Sequence, residues 1–223
     1  MKRLLILGIC LVLLIVSSAA ACQPKETLLE IVVSVKVVGD EEYRLDRNPW
    51  QEEAGNLLEA VSKVYQKEFG ICFMITEFIE WDSPDLKPVE EGWYDLAGTQ
   101  WLTDNAAWDI PSDGTLVVVL TGEDLTRRNP GMSLVTERRG FKEYYALAWA
   151  DSENPRNGLV HEIAHLFDAK HPNEEWGWEY SEKYPSIMDP AKVFSVVTFD
   201  PKNRKVILEN RDKFQPVPQG GGS

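Results

Sequence analysis

Basic residues are scarce in this chain: 23 Lys and Arg stand against 36 Asp and Glu, a formal net charge of −13. Proteins that bind nucleic acid neutralise phosphates with a basic footprint, so that class of partner is excluded. Cysteine is scarcer still. Cys10 lies in the apolar start of the chain and Cys22 at its border, which leaves Cys72 alone in the segment Gly70–Ile75. One thiol builds no disulfide framework, so the fold must rest on its core, and Cys72 reads as a lone buried thiol. Long apolar runs are also missing. The run Leu4–Val16 has 13 residues, short of the roughly 20 that a membrane-spanning helix needs. No internal repeat is evident, and the single low-complexity piece, 215–223, reads as a disordered tail.

What stands at the N-terminus has the three-part layout of a secretory signal peptide over residues 1–21: basic Lys2 and Arg3, the apolar run, and small residues from Ser17 to Ala21. The chain is therefore expected to be exported. Cys22 follows three alanines in a pattern that resembles the lipobox of bacterial lipoproteins. That resemblance implies a lipidated Cys22 and a membrane anchor; simple cleavage would give a secreted protein instead. Residues 22–27 then form a short tether, and residues 28–214 are enough for one sizeable core and one domain, expected to be a monomer. Loss of Lys2 and Arg3 deepens the acidic balance, a pointer to cationic substrates that a plain solvated surface explains equally well.

Local patterns give a coarse element order. Leu28–Val38 reads as a strand, Pro49–Phe69 as a helix with Leu57, Leu58, Val61, Val64 and Tyr65 on its apolar face and Gly70 as its stop, and Cys72–Trp81 as a second strand. Residues 82–113 are irregular, broken by prolines and glycines. Thr115–Leu120 and Tyr144–Trp149 read as short strands, Pro155–Asp168 as a helix, and Asp200–Phe214 as a closing helix with Val206, Ile207 and Phe214 inward.

Histidine is as rare as cysteine, yet all three copies fall between His161 and His171. On a helix, positions i and i+4 share one face, so the imidazoles of His161 and His165 can converge on one metal ion. Glu162, on the same turn, could take a proton from a metal-activated water. A straight helix would carry His171 about 9 Å beyond His165 and off that face. His171 can join the ion only if the chain turns back near Asp168, a residue type tolerated in the left-handed region where glycine is cheapest.

The stretch resembles the zinc signature of the metzincin metalloproteases, and Ser186-Ile187-Met188-Asp189-Pro190 is similar to their Met-turn. The resemblance implies an α+β, zincin-like catalytic domain: a mixed twisted sheet, a long backing helix, an active-site helix, the Met-turn with Met188 as apolar floor, and a C-terminal helix. It implies one catalytic Zn2+ held by His161, His165 and His171, Glu162 as general base and then proton donor to the leaving amine, and a peptide or protein substrate. Two departures stand out: Asp168 where the family has glycine, and Pro190 where some members carry a zinc-reaching tyrosine, so no tyrosine ligand is expected. The substrate would pair with the sheet's edge strand, matched here to Tyr145, Ala146, Leu147, Ala148 and Trp149; as side chains, Tyr145 and Trp149 read as core aromatics. The specificity pocket would involve Val160, Ala164 and residues 191–197. Trp176, Trp178 and Tyr180 would shape a cleft wall or pack a surface loop, and Tyr180 and Tyr184 are candidates for a second oxyanion donor.

Two other readings stay open. In a gluzincin, Glu179 or Glu182 would replace His171 as third ligand, although those spacings are short and the Met-turn is then unexplained. In a zinc-binding surface lipoprotein acting as a binding module, turnover would be lost, although a structural site has no use for Glu162. The few residues between Cys22 and the first strand lead to the expectation of an enzyme active as synthesised.

Overall fold

Val33, Val35 and Val37 point alternate side chains of one strand into a single buried layer, and the fold grows around that layer. The computed structural model describes residues 29–45, 47–84, 101–122, 131–138 and 141–214. The expected leader, tether and tail therefore lie outside the described residues. The elements are β1 (Ile31–Gly39), α1 (Glu41–Leu45), α2 (Trp50–Phe69), β2 (Ile71–Glu80), a π-helical turn (Leu102–Ala106) running into α3 (Ala107–Asp109), and β3 (Leu116–Thr121). They continue with β4 (Gly131–Arg138), β5 (Phe141–Trp149), α4 (Pro155–Leu166), α5 (Pro172–Glu175), α6 (Trp178–Lys183), α7 (Pro201–Asn210) and a 3-10 turn (Arg211–Phe214).

The five strands form one mixed sheet in the order β2-β1-β3-β5-β4, parallel except for β4, which runs antiparallel to β5. Central β3 is buried at every residue, as its unbroken apolar run requires for a strand covered on both faces. One face packs α2 and α4. In α2 the buried stripe is Trp50, Ala54, Leu58, Val61, Tyr65 and Phe69, spaced three and four apart, while Leu57 and Val64 flank it half-buried. Gly70 ends this helix in the left-handed region at φ 71°, with its N–H on the Gln66 carbonyl. The other face is closed by Trp81, Trp101, Ala106, Ala107 and Ile110 over Val117, Val119, Tyr145 and Leu147. This is the expected α+β arrangement, with the backing, central and closing helices in the expected order.

Three expectations are corrected. The strand over Tyr145–Trp149 is not an edge: β5 pairs with β3 on one side and β4 on the other, so its backbone is already committed. The edge belongs to β4, which the sequence did not reveal because Gly131, Ser133, Thr136 and Glu137 interrupt its apolar residues. The segment taken as irregular carries the 102–109 helical piece, and its Trp101 donates an indole N–H to the Pro84 carbonyl at 2.7 Å. Smaller shifts concern Val206, half-buried beside the buried Ile207, and Cys72, also only half-buried.

Candidate metal centre

Asn154 begins α4: its side chain accepts from the Asn157 N–H at 3.1 Å, and Pro155 takes the first helical position, where no N–H is needed. Asn157 then fastens the helix to the chain beyond the turn at Met188, donating to the Val193 and Val196 carbonyls at 2.9 and 3.4 Å. His161 and His165 follow on the inner face. The helix ends at Leu166, and Asp168 adopts φ 68°, the left-handed conformation that a turn here requires. Ala169 N–H reaches the Ala164 carbonyl at 3.1 Å and Asp168 N–H the His165 carbonyl at 2.9 Å, the two bonds of a Schellman ending. That reversal brings His171 back to the other two.

The three Nε2 atoms then lie 3.0 Å (His161 to His165), 3.0 Å (His165 to His171) and 3.3 Å (His161 to His171) apart. Each Nδ1 faces an acceptor that has no proton to give. His161 Nδ1 lies 2.7 Å from the Ile187 carbonyl, His165 Nδ1 2.9 Å from that of Ala169, and His171 Nδ1 3.2 Å from Glu174 Oε2. A proton on Nδ1 satisfies each of these acceptors, and the Nε2 of each ring then turns a lone pair toward the other two. Three lone pairs at this separation have no hydrogen to share and repel one another unless a cation sits among them. Ligand nitrogens about 2.0–2.1 Å from a tetrahedral zinc would be roughly 3.3 Å apart, so the donor set fits that ion in chemistry and in size. Burial, and then the charge of His165, push the His161 pKa down to about 3, and burial pushes that of His165 down to about 4. Both rings are neutral at neutral pH.

Glu162 is buried on the same turn at 5% exposure. The first residue of β4 lies against it: a Cβ placed on Gly131 would sit 2.9 Å from Glu162 Cγ and 2.3 Å from the Leu147 carbonyl oxygen. Nothing in the sequence singled out Gly131, because its role depends on a contact with a helix 31 residues later. Tyr65 stands behind Glu162, its phenol raised well above the usual range by burial and by the Glu162 charge, and its hydroxyl donates to the Val160 carbonyl at 2.8 Å.

Met188 is fully buried in a turn closed by Asp189 N–H on the Ser186 carbonyl at 3.1 Å. Since Ile187 of this turn carries the acceptor for His161, the turn orients the first ring. Asp189 anchors it from below by accepting from Ser181 Oγ at 2.6 Å, with Lys192 Nζ at 3.2 Å. Val160 and Ala164 are buried to 0% exposure within the core, so they do not line an open pocket here. Tyr180 is not free as an oxyanion donor, because its hydroxyl donates to Asp200 at 2.9 Å. Trp176 meets Tyr180 edge to face and Tyr180 meets Tyr184 at a tilt, with Lys202 Nζ over the first two rings, while Trp178 is 70% exposed. Glu182 pairs with Lys192, and Glu179 is exposed, so neither takes the place of His171. Among the described residues, His161, His165 and His171 form the group able to hold a metal.

Compared with known families, residues 30–186 match Metallo-peptidase family M12, a span that holds all five strands and the three histidines and stops just before Met188. No curated protein matches the chain. Among solved structures, metalloproteinase-II from Bacteroides fragilis is similar at 15% identity over 83% of this chain and 55% of its own, with a TM-score of 0.48. A chain in a chaperone–substrate complex shares the fold at 10% identity and a TM-score of 0.53, over 83% of this chain and 34% of its own. The chain thus spans about half the length of the first and about a third of the second.

Proposed function

The chain belongs to metallopeptidase family M12, and on that premise we propose that it is an exported zinc endopeptidase of the metzincin type. His161, His165 and His171 are its ligands and Glu162 its general base. The observation that carries this reading is the convergence of three Nε2 atoms on rings whose Nδ1 atoms all face other acceptors, one residue away from a buried carboxylate. Zinc, when bound, polarises the scissile carbonyl and makes the attacking water more acidic.

The chain's own residues do the rest. Glu162 accepts the proton of the attacking water and passes it to the leaving nitrogen, so one carboxyl serves as base and then as acid. The substrate lies extended along β4, the outermost strand beside the site, and pairs with it backbone to backbone. Such pairing reads peptide backbone with little regard for sequence, which suits an endopeptidase. Residues 1–21 direct export, and lipidation of Cys22 holds the enzyme at the membrane surface.

The test is Glu162→Ala assayed beside the unaltered protein at matched zinc content on a broad peptide library. General acid–base assistance is worth roughly 10²–10⁴-fold, so cleavage should fall at least that far while zinc and fold persist. Undetectable hydrolysis by both proteins would favour a zinc-binding module instead.

A further inference from the structure

Two of the three histidines lie within one helix, and the third lies outside it, at the start of the four-residue α5. His171 follows the helix ending, on an extended segment with φ −67° and ψ 119°, and its side chain is 26% exposed. Its ring contact, to Glu174, is a weak guide because that carboxylate is 70% exposed. What fixes the ring therefore acts on the backbone around it: Glu175 N–H holds the His171 carbonyl at 3.0 Å from the following turn, and the segment just before His171 needs a hold of its own.

That backbone is gripped from α7. The Asn203 side chain accepts from the Lys170 N–H at 2.8 Å through Oδ1 and donates to the Lys170 carbonyl at 2.9 Å through Nδ2. It is fully buried at 0% exposure. The amide cannot be turned round: Nδ2 also meets Asp200 Oδ2 at 2.6 Å, and both of its partners are pure acceptors, whereas Lys170 N–H is a pure donor. Asp200 holds α7 in place in turn. Its side chain caps the Lys202 and Asn203 N–H groups, and its own N–H donates to Ser186 Oγ of the Met-turn at 3.2 Å. Residues upstream of Lys170 are held by the same C-terminal segment, Phe167 by the Phe214 ring at 4.9 Å and Asp168 by Lys213.

We propose that Asn203 is the positioning residue for the third metal ligand: by pairing with both backbone polar groups of Lys170, it fixes the direction of the His171 ring. The proposal rests on the reading of His171 as a ligand. Without the amide, the 169–171 segment would have to be ordered when metal binds rather than when the chain folds, and affinity would fall. Partners just outside a ligand set are typically worth 10–100-fold in metal affinity.

The experiment measures zinc dissociation constants by chelator competition for the full chain and for Asn203→Ala, Asn203→Ser, His171→Ala and Leu208→Ala, beside thermal unfolding of each zinc-free protein. Leu208, half-buried on the same helix, controls for general loosening of α7. Both Asn203 variants should bind zinc about 10–100-fold more weakly, and their cobalt-substituted forms should show visible bands shifted toward those of His171→Ala. Asn203→Ser keeps a buried hydroxyl but cannot span both groups of Lys170; it carries the test if Asn203→Ala does not fold without metal. Wild-type affinity in the Asn203 variants, with affinity lost in His171→Ala, overturns the proposal and leaves the ligand assignment standing. An equal loss in Leu208→Ala overturns it as well. Wild-type affinity in His171→Ala overturns the ligand assignment itself.

Discussion

Asp168 Oδ1 and Lys213 Nζ meet at 2.8 Å, which ties the C-terminal turn to the one residue that leaves the active-site helix with a positive φ. A side chain in the left-handed region costs roughly 1–2 kcal/mol where glycine would cost nothing. A half-exposed ion pair returns about 0–1 kcal/mol, so the turn conformation outweighs the pair. Asp168→Gly should nonetheless be nearly neutral in thermal unfolding, since relief of strain is offset by the lost pair together with the greater freedom of glycine in the unfolded chain. Asp168→Ala keeps the strain but loses the pair and the short polar side chain that makes this conformation tolerable, so it should cost about 1 kcal/mol, and Lys213→Ala, which loses the pair alone, should cost less. A Lys213→Ala loss as large as that of Asp168→Ala would mean that the ion pair, and not the turn, holds this exit.

The same residue shows how much the sequence carried. The histidine spacing demanded a chain reversal near residue 168, and Asp168 was readable as its pivot, because helix geometry alone decides where His171 would otherwise go. The backing helix was legible for a similar reason: its apolar period is long and Gly70 stops it. Strand β4 was not, since a strand at the rim of a sheet needs no continuous apolar run, and Tyr145–Trp149 was therefore mistaken for the edge. Asn203 and Gly131 were invisible as well. Each acts through a partner distant in sequence, and local pattern holds no record of such contacts.

Gly131 offers a direct test of how closely β4 approaches Glu162, the proposed general base. A methyl group there would press on both Glu162 Cγ and the Leu147 carbonyl, and the second of these is backbone that cannot rotate away. Displacing a catalytic group by about 1 Å can cost around 10²-fold in rate. Gly131→Ala should lower kcat by about that factor while zinc content stays at one per chain. Unchanged kcat in a folded, zinc-loaded variant would show that the strand, and not the carboxylate, gives way.

Asp189 supplies the pH dependence. Burial alone would raise its pKa, but bonds from Ser181, Lys192 and the Ala191 N–H outweigh burial and hold it below the ordinary carboxylate value. A depressed carboxylate stabilises the fold fully above its unfolded pKa, near 3.9, and loses that contribution as pH falls through its lower folded value. Asp189→Asn should thus cost about 1–3 kcal/mol near neutral pH, and the gap to the unaltered protein should close below the ordinary carboxylate range. Denaturant unfolding of zinc-free protein at several pH values reads this difference. A gap that stays constant into acid would show that shape at residue 189, and not its charge, secures the turn at Met188.

Metal removal distinguishes the third ligand. An ion that binds only the folded state stabilises it by about 4 kcal/mol when present at a thousandfold excess over its dissociation constant. For a domain of this size, each kcal/mol shifts the unfolding midpoint by roughly 2–4 °C, so a strong chelator should lower the Tm of the unaltered protein by about 8–16 °C. Glu179→Ala and Glu182→Ala should show the same chelator shift, because Glu179 is exposed and Glu182 is engaged with Lys192 at 3.2 Å. His171→Ala should lose most of the shift, since two imidazoles on one helix face leave the ion half-held. The comparison is made within each variant, with and without chelator, so a general change in stability cancels. A full shift in His171→Ala, together with a lost shift in either glutamate variant, would move the third ligand onto that glutamate and return the site to the gluzincin reading.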